Sequence, residues 1–241
     1  MRYKTLLMDA DNTLLDFTKS EHDAIAETFA HFGLPNDDKT IAIYSEVNDA
    51  HWKMLERGEI EKKVLMWKRF EAFLERTGLE ADPHSLATDY LQTLSTKSYM
   101  IEGALEVCAA LAQKCRMYII TNGDKRVQEG RFNPSPLAKY FEKAYISEVV
   151  GYEKPDVRYF DAVMRDIPDF DPATTLVVGD SLTSDIKGGI NAGLDTCWYN
   201  PRKYHPDTCS YPQRSLCRRH REGPAPEWEC RPFQSETGKP G

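Results

Sequence analysis

The chain lacks a hydrophobic run long enough to span a membrane. A spanning helix needs roughly 20 apolar residues, and charged side chains interrupt each apolar segment of the sequence before that length. The first residues, Met1–Lys4, lead directly into a strand-like run, without the apolar region and small-residue cleavage site of a signal peptide. We therefore expect a cytoplasmic protein that has no membrane partner.

An excess of positive charge is also missing. The 241 residues include 31 Lys and Arg against 38 Asp and Glu, which gives a formal net charge of -7. Nucleic acid polymers are bound by basic patches, so this balance argues against such a partner. It leaves room for a small anionic ligand, because a local site can be positive within an acidic protein.

The cysteines show no metal or disulfide pattern. The chain has six Cys, with no CxxC pair and no regular framework. Cys108, Cys115 and Cys197 lie in or beside apolar segments, a position typical of buried free thiols.

Apolar patterning predicts an α/β fold with an insertion. Residues 3–9 form a strand-like apolar run, and residues 17–98 then show helical periodicity in four segments. After residue 99, short apolar strands alternate with helices, which predicts a Rossmann-like, doubly wound parallel sheet. We expect residues 1–16 and 99–200 to form the α/β core domain and residues 17–98 a helical-bundle cap domain.

The last segment, residues 201–241, departs from this pattern. It contains seven of the 14 prolines and no Val, Ile or Met. Such a composition rarely supports a packed core, so we expect an atypical and irregular tail, produced by a shifted reading frame or an alternative end of the gene.

Two carboxylates follow the first strand. Asp9 and Asp11 are two residues apart, so in an extended segment they project from the same face. Close carboxylates repel each other unless a cation compensates, and oxygen ligands suit Mg²⁺. One Asp could then act as a nucleophile and the other handle protons. Taken alone, the stretch is equally compatible with a simple Asp/Asn turn.

Other polar groups follow later strands. Thr121-Asn122-Gly123 and Gly179-Asp180-Ser181 each end an apolar run, and Lys154 lies in a loop expected at the same edge. Ligands of such folds bind beyond the carboxyl ends of the strands. A hydroxyl, the backbone N–H groups of Asn122 and Gly123, a lysine and a metal together fit a phosphoryl group. The sequence therefore predicts phosphoryl transfer through an aspartyl phosphate.

These motifs resemble those of the haloacid dehalogenase (HAD) superfamily, specifically its phosphatases. The four matching motifs occur in family order, as Asp9-x-Asp11-x-Thr13, Thr121-Asn122-Gly123, Lys154-Pro155 and Gly179-Asp180-Ser181-x-x-Ser184-Asp185.

The resemblance implies a role for each motif residue. Asp9 would be the nucleophile, and Asp11 the general acid/base that also binds Mg²⁺ through its backbone carbonyl. Mn²⁺ or another divalent metal would substitute for Mg²⁺. The remaining expected roles are phosphate binding by Thr121 and Lys154, completion of the metal site by Asp180, and support of Lys154 and the metal by Asp185.

A closer resemblance is to the bacterial house-cleaning pyrimidine 5'-nucleotidases. It rests on Asn12 within the first motif, on residues 146–155 and on residues 188–198. It implies a nucleoside monophosphate such as UMP, dUMP or dTMP, or a non-standard analogue, as substrate of a monomer or weak homo-oligomer. The alternatives are a HAD phosphatase acting on a sugar phosphate or phosphoglycolate, and a catalytically silent binding or regulatory protein with the same fold.

Overall fold

A seven-stranded sheet organises the part of the chain that the computed structural model describes, namely residues 2–201 and the backbone of 215–219 and 228–232. The strand order is β3-β2-β1-β4-β5-β6-β7. Strands β1 to β6 pair in parallel, and β7 runs antiparallel to β6. The strands are β1 (Thr5–Met8), β2 (Arg116–Thr121), β3 (Lys143–Ile146), β4 (Thr175–Gly179), β5 (Asp195–Tyr199), β6 (Ser215–Arg219) and β7 (Trp228–Pro232).

The central strand β1 is buried on both faces. Alternate side chains of a strand point to opposite faces, so Leu6 and Met8 pack into one apolar cluster and Leu7 into another. Helices cover both faces, which confirms the predicted α/β core. The helices are α1 (Phe17–His31), α2 (Asp38–Glu56), α3 (Lys62–Thr77), α4 (Pro83–Leu94), α5 (Ala104–Leu111), α6 (Lys125–Phe132), α7 (Ser147–Val150), α8 (Val157–Asp166) and α9 (Lys187–Asn191).

Helices α1–α4 pack on one another around their own apolar cluster, and we call them the helical bundle. Aromatic rings fill its centre: Phe29 stacks on Phe73 with centroids 4.9 Å apart, and Tyr44 lies 5.0 Å from Phe70. Side chains of Asp16, Asp37 and Asp82 accept hydrogen bonds from the first backbone N–H groups of α1, α2 and α4. These N-caps fix where the helices begin.

Two connecting segments join the bundle to the sheet, and they run side by side. Asp16 N donates to Tyr99 O at 2.9 Å, and Ile101 N donates to Leu14 O at 2.9 Å. Leu15 and Met100 form an antiparallel bridge between these bonds. The bundle therefore leaves and re-enters the core at one place.

Two expectations from the sequence are corrected. The tail was expected to be irregular, yet β6 and β7 lie within it, with β6 pairing beside β5. An unpaired edge on β5 would present free backbone N–H and C=O groups, and β6 satisfies part of that edge. Cys108 and Cys115 are buried thiols that form no disulfide, as expected, whereas Cys197 is disulfide-bonded, so its prediction as a thiol was wrong.

The other tail residues lie outside the described part of the chain. Among the described helices, each is too short or too polar to cross a lipid bilayer.

Candidate active site

The carboxyl ends of three neighbouring strands meet at one edge of the sheet. Asp9 follows β1, Thr121 ends β2 and Asp180 follows β4. A cavity of about 480 Å³ lies between this edge and the helical bundle. The structure brings every predicted site residue to the wall of this cavity: Asp9, Asp11, Thr121, Asn122, Gly123, Lys154, Asp180 and Asp185.

Lys154 is a buried cation whose ammonium group donates three hydrogen bonds. Only 2% of the residue is exposed, and its Nζ donates to Asp9 Oδ1 at 2.8 Å, to Asp185 Oδ1 at 2.6 Å and to Ile120 O at 2.9 Å. Burial by itself would lower the pKa of the Lys154 ammonium, but the charges of Asp185 and Asp9 outweigh burial and raise it. Lys154 therefore stays charged at neutral pH.

Three carboxylates crowd beside this cation. Oxygen atoms of Asp9, Asp180 and Asp185 lie within 4.8 Å of one another. Burial, followed by the charge of Asp185, raises the pKa of Asp9 to about 7, although Lys154 opposes the shift. Burial and the charge of Asp9 likewise raise the pKa of Asp180 well above its ordinary value. A hard divalent cation would relieve this repulsion, and the all-oxygen donor set fits Mg²⁺.

The carboxylate of Asp11 does not belong to that cluster. Its Oδ1 accepts from Arg131 Nη1 at 2.5 Å and its Oδ2 from Gln128 Nε2 at 2.5 Å. Both donors come from α6. The predicted metal contact of Asp11 is through its backbone carbonyl, so it does not depend on this orientation of the side chain.

The segment after β2 supports Lys154. Asn122 Nδ2 donates to Lys154 O at 2.8 Å, and Lys154 N donates to Asn122 Oδ1 at 2.8 Å. Gly123 N donates to the Oγ1 of Thr121 at 3.0 Å. A Cβ on Gly123 would overlap the side chain of Gln128, so a larger residue here would displace that side chain. The side chain of Asn122 thus orients the lysine loop, whereas the sequence assigned this residue only a phosphate-binding backbone.

Two residues of the helical bundle reach the sheet edge. Glu56 accepts from Thr183 Oγ1 at 2.6 Å. Lys62 Nζ donates to Gly123 O at 2.7 Å and to Ser147 Oγ at 3.1 Å. Burial raises the pKa of Glu56 and lowers that of Lys62. Sequence analysis missed both residues, because they join segments far apart in the chain and belong to no local motif.

The bundle side of the cavity has aromatic and apolar side chains such as Trp52 and Leu91 beside charged ones, namely Asp49, Lys53 and Glu56. Arg69 also lines it, although only 2% of this residue is exposed. Its guanidinium lies 5.1 Å from the ring centroid of Tyr90. This wall therefore offers ring surfaces and a buried cation together with charged groups of both signs.

Comparison with known proteins identifies the family. The model of the haloacid dehalogenase-like hydrolases matches residues 3–193, so the chain belongs to this family of hydrolases. The predictions of the superfamily and of a hydrolytic enzyme are confirmed.

Curated relatives match most of the chain. Pyrimidine 5'-nucleotidase PynA of Streptococcus pneumoniae is 37% identical over 213 residues, covering 88% of this chain and 90% of PynA. Pyrimidine 5'-nucleotidase YjjG of Escherichia coli is 32% identical over 200 residues, covering 83% of this chain and 87% of YjjG.

A solved structure supports the fold. The HAD-hydrolase YfnB of Bacillus subtilis, solved bound to magnesium, has a TM-score of 0.81 and 39% identity to this chain. The match covers 85% of this chain and 92% of YfnB. The magnesium, and the interdomain movement described for that structure, are properties of YfnB.

Proposed function

We propose that the protein is a Mg²⁺-dependent phosphomonoester hydrolase that works through an aspartyl phosphate. The observation that carries this proposal is the setting of Asp9. Its Oδ1 is held by Lys154, its Oδ2 accepts from Thr13 Oγ1 at 3.2 Å, and Asp180 lies beside it. A carboxylate fixed in this way can attack phosphorus, because phosphoryl transfer depends on positioning and charge neutralisation.

The first step forms a bond between a carboxylate oxygen of Asp9 and phosphorus, and the bond between phosphorus and the leaving oxygen breaks. Asp11 gives that oxygen its proton. In the second step water attacks phosphorus, Asp11 takes a proton from the water, and the Asp9–phosphorus bond breaks to release inorganic phosphate. The phosphoryl oxygens are held by Lys154, by the hydroxyl of Thr121 and by the backbone N–H groups of Asn122 and Gly123.

A divalent cation would be held by the carboxylates of Asp9 and Asp180 and by the backbone carbonyl of Asp11, with Asp185 supporting the arrangement. When bound, it neutralises charge on the phosphoryl group. Mg²⁺ suits these oxygen donors, and Mn²⁺ is the expected substitute.

We further propose that the substrate is a pyrimidine nucleoside monophosphate such as UMP, dUMP or dTMP. Two relatives that cover most of the chain bear the name pyrimidine 5'-nucleotidase. The cavity wall formed by the helical bundle offers ring surfaces and the guanidinium of Arg69, which suit a planar base with carbonyl oxygens. In this proposal residues 17–98 act as a cap that excludes water and selects the substrate.

The test is a panel of phosphate esters assayed with Mg²⁺ and with EDTA. It includes p-nitrophenyl phosphate, pyrimidine and purine monophosphates, a sugar phosphate and phosphoglycolate. We expect metal-dependent turnover and the highest kcat/KM for a pyrimidine nucleotide. The Asp9→Asn variant should lose turnover, and Asp38→Asn, at an exposed carboxylate, should keep it.

Absence of metal-dependent turnover would favour the catalytically silent protein. Preference for a sugar phosphate or phosphoglycolate would leave the chemistry in place and replace the substrate.

A further inference from the structure

Arg131 is a buried cation to which the proposed mechanism assigns no role. Its residue exposure is 0%. It lies on α6 three residues after Gln128, so both side chains project from the same side of the helix. Arg131 and Gln128 each occupy one carboxylate oxygen of Asp11. The side chain of Asp11 is 24% exposed and lines the cavity.

The same guanidinium contacts the first helix of the bundle and the segment that leads back from the bundle to the sheet. Arg131 Nε donates to Lys97 O at 3.0 Å, and Nη2 donates to Ser20 Oγ at 3.3 Å. Ser98 Oγ in turn donates to the backbone carbonyl of Arg131 at 2.6 Å. Ser20 belongs to the start of the bundle, and Lys97 and Ser98 follow its last helix.

We propose that Arg131, together with Gln128, is a positioning residue for Asp11. The two donors set the direction of the Asp11 carboxylate relative to Asp9, where protons must pass to the leaving oxygen and from the attacking water. Through Ser20 and Lys97, Arg131 also links that direction to the first helix of the bundle and to the segment that follows its last helix. This inference rests on the proposed function, because it concerns how Asp11, the acid/base group of that function, is oriented.

The geometry distinguishes this role from that of an ordinary buried ion pair. A planar guanidinium presents several donors in fixed directions, and here they are divided between the carboxylate in the cavity, helix α1 and the segment after α4. Gln128 supplies the second donor to Asp11, while its Oε1 has no hydrogen-bond partner among the described residues. The Gln128 side chain also packs against Gly123, where an added Cβ would overlap it, and this contact limits how its amide can turn.

The experiment is a double-mutant cycle between Arg131 and Asp11. The variants are Arg131→Met, which keeps the length of the side chain, Asp11→Asn, and the two combined. Steady-state kcat and KM are measured with UMP, together with the pre-steady-state burst of p-nitrophenolate from p-nitrophenyl phosphate. Arg126→Met, at an exposed position of the same helix, is the matched control, and Arg131→Lys tests partial rescue by a retained charge.

We expect Arg131→Met to lower kcat with UMP about 10- to 100-fold, within the range that acid–base catalysis contributes, with little change in KM. The p-nitrophenolate burst should fall much less, since that leaving group departs without a proton. In the Asp11→Asn background, Arg131→Met should cost no more than about twofold, because residues that act as a unit are not additive. Arg131→Lys should recover part of the loss, and Arg126→Met should match the unaltered chain.

An equal loss from Arg131→Met with and without Asp11→Asn would overturn the proposal, as would an equal loss for both substrates. If Arg131→Met does not fold, Gln128→Met removes the other donor and should show the same dependence on the leaving group. Turnover by the unaltered chain is measured first, so failure of the proposed function is seen separately from failure of this inference.

Discussion

Replacing Lys154 with Met should show how strongly the buried cation holds the sheet edge together. The ammonium satisfies two buried carboxylates and one buried carbonyl. Removing one partner of a buried ion pair costs about 3–5 kcal/mol, because the remaining charge is left uncompensated. We expect a loss of this size in the free energy of unfolding at pH 7.5 in EDTA.

The assay is urea unfolding followed by tryptophan fluorescence. Lys125→Met is the control, because that lysine is half exposed and its Nζ lies 3.9 Å from a carboxylate oxygen of Glu129. The free energy of unfolding of this control should fall by no more than about 0.5 kcal/mol. Adding Mg²⁺ should stabilise Lys154→Met more than the unaltered chain, since a bound cation replaces the missing positive charge. A loss as small as that of Lys125→Met, or an equal effect of Mg²⁺ on both proteins, would refute the reasoning.

Two further predictions concern buried carboxyl groups. Asp180→Asn should raise the free energy of unfolding in EDTA by about 0.5–2 kcal/mol, because it removes one charge from a repelling cluster, and it should abolish stabilisation by Mg²⁺ in the same melts. Burial raises the pKa of Glu21 from its ordinary 4.5, so the folded state holds this proton more tightly than the unfolded chain. The stabilisation that Glu21 contributes is thus complete below pH 4.5 and is lost as the pH rises through the pKa of Glu21 in the folded state. Urea unfolding from pH 4 to 8 should therefore show Glu21→Gln gaining stability relative to the unaltered chain as the pH rises, and a constant difference would contradict this.

The parts of the site that lie on consecutive strands could be predicted because a parallel sheet leaves few places for its strand ends. Asp9, Thr121 and Asp180 each end an apolar run, and topology alone brings them to one edge. A local signal also marks a helix end: α3 stops at Thr77, directly before Gly78, which adopts a left-handed conformation.

The contacts of Arg131, Gln128 and Lys62 could not be predicted in this way. Each depends on how a helix is placed against a distant segment, and their sequence neighbourhoods look like ordinary charged helix surface. The only local signal was the spacing of three between Gln128 and Arg131. Tail strand β6 was missed for a related reason: three of its five residues are Ser or Arg, and pairing with β5 overrides a composition typical of irregular chain.

The bridge between Leu15 and Met100 makes the helical bundle an insertion that can be exchanged as one unit. The two ends of the inserted segment are hydrogen-bonded neighbours. The sheet therefore needs to accommodate only a connection as narrow as a hairpin turn, whatever the length of the insertion. Replacing it with another set of helices would neither stretch the backbone nor shift the register of β1 against β2. The entropy of closing a loop also grows only slowly with its length. The wall that faces the substrate can thus diverge through exchange of one contiguous piece, while the residues that perform the chemistry keep their positions.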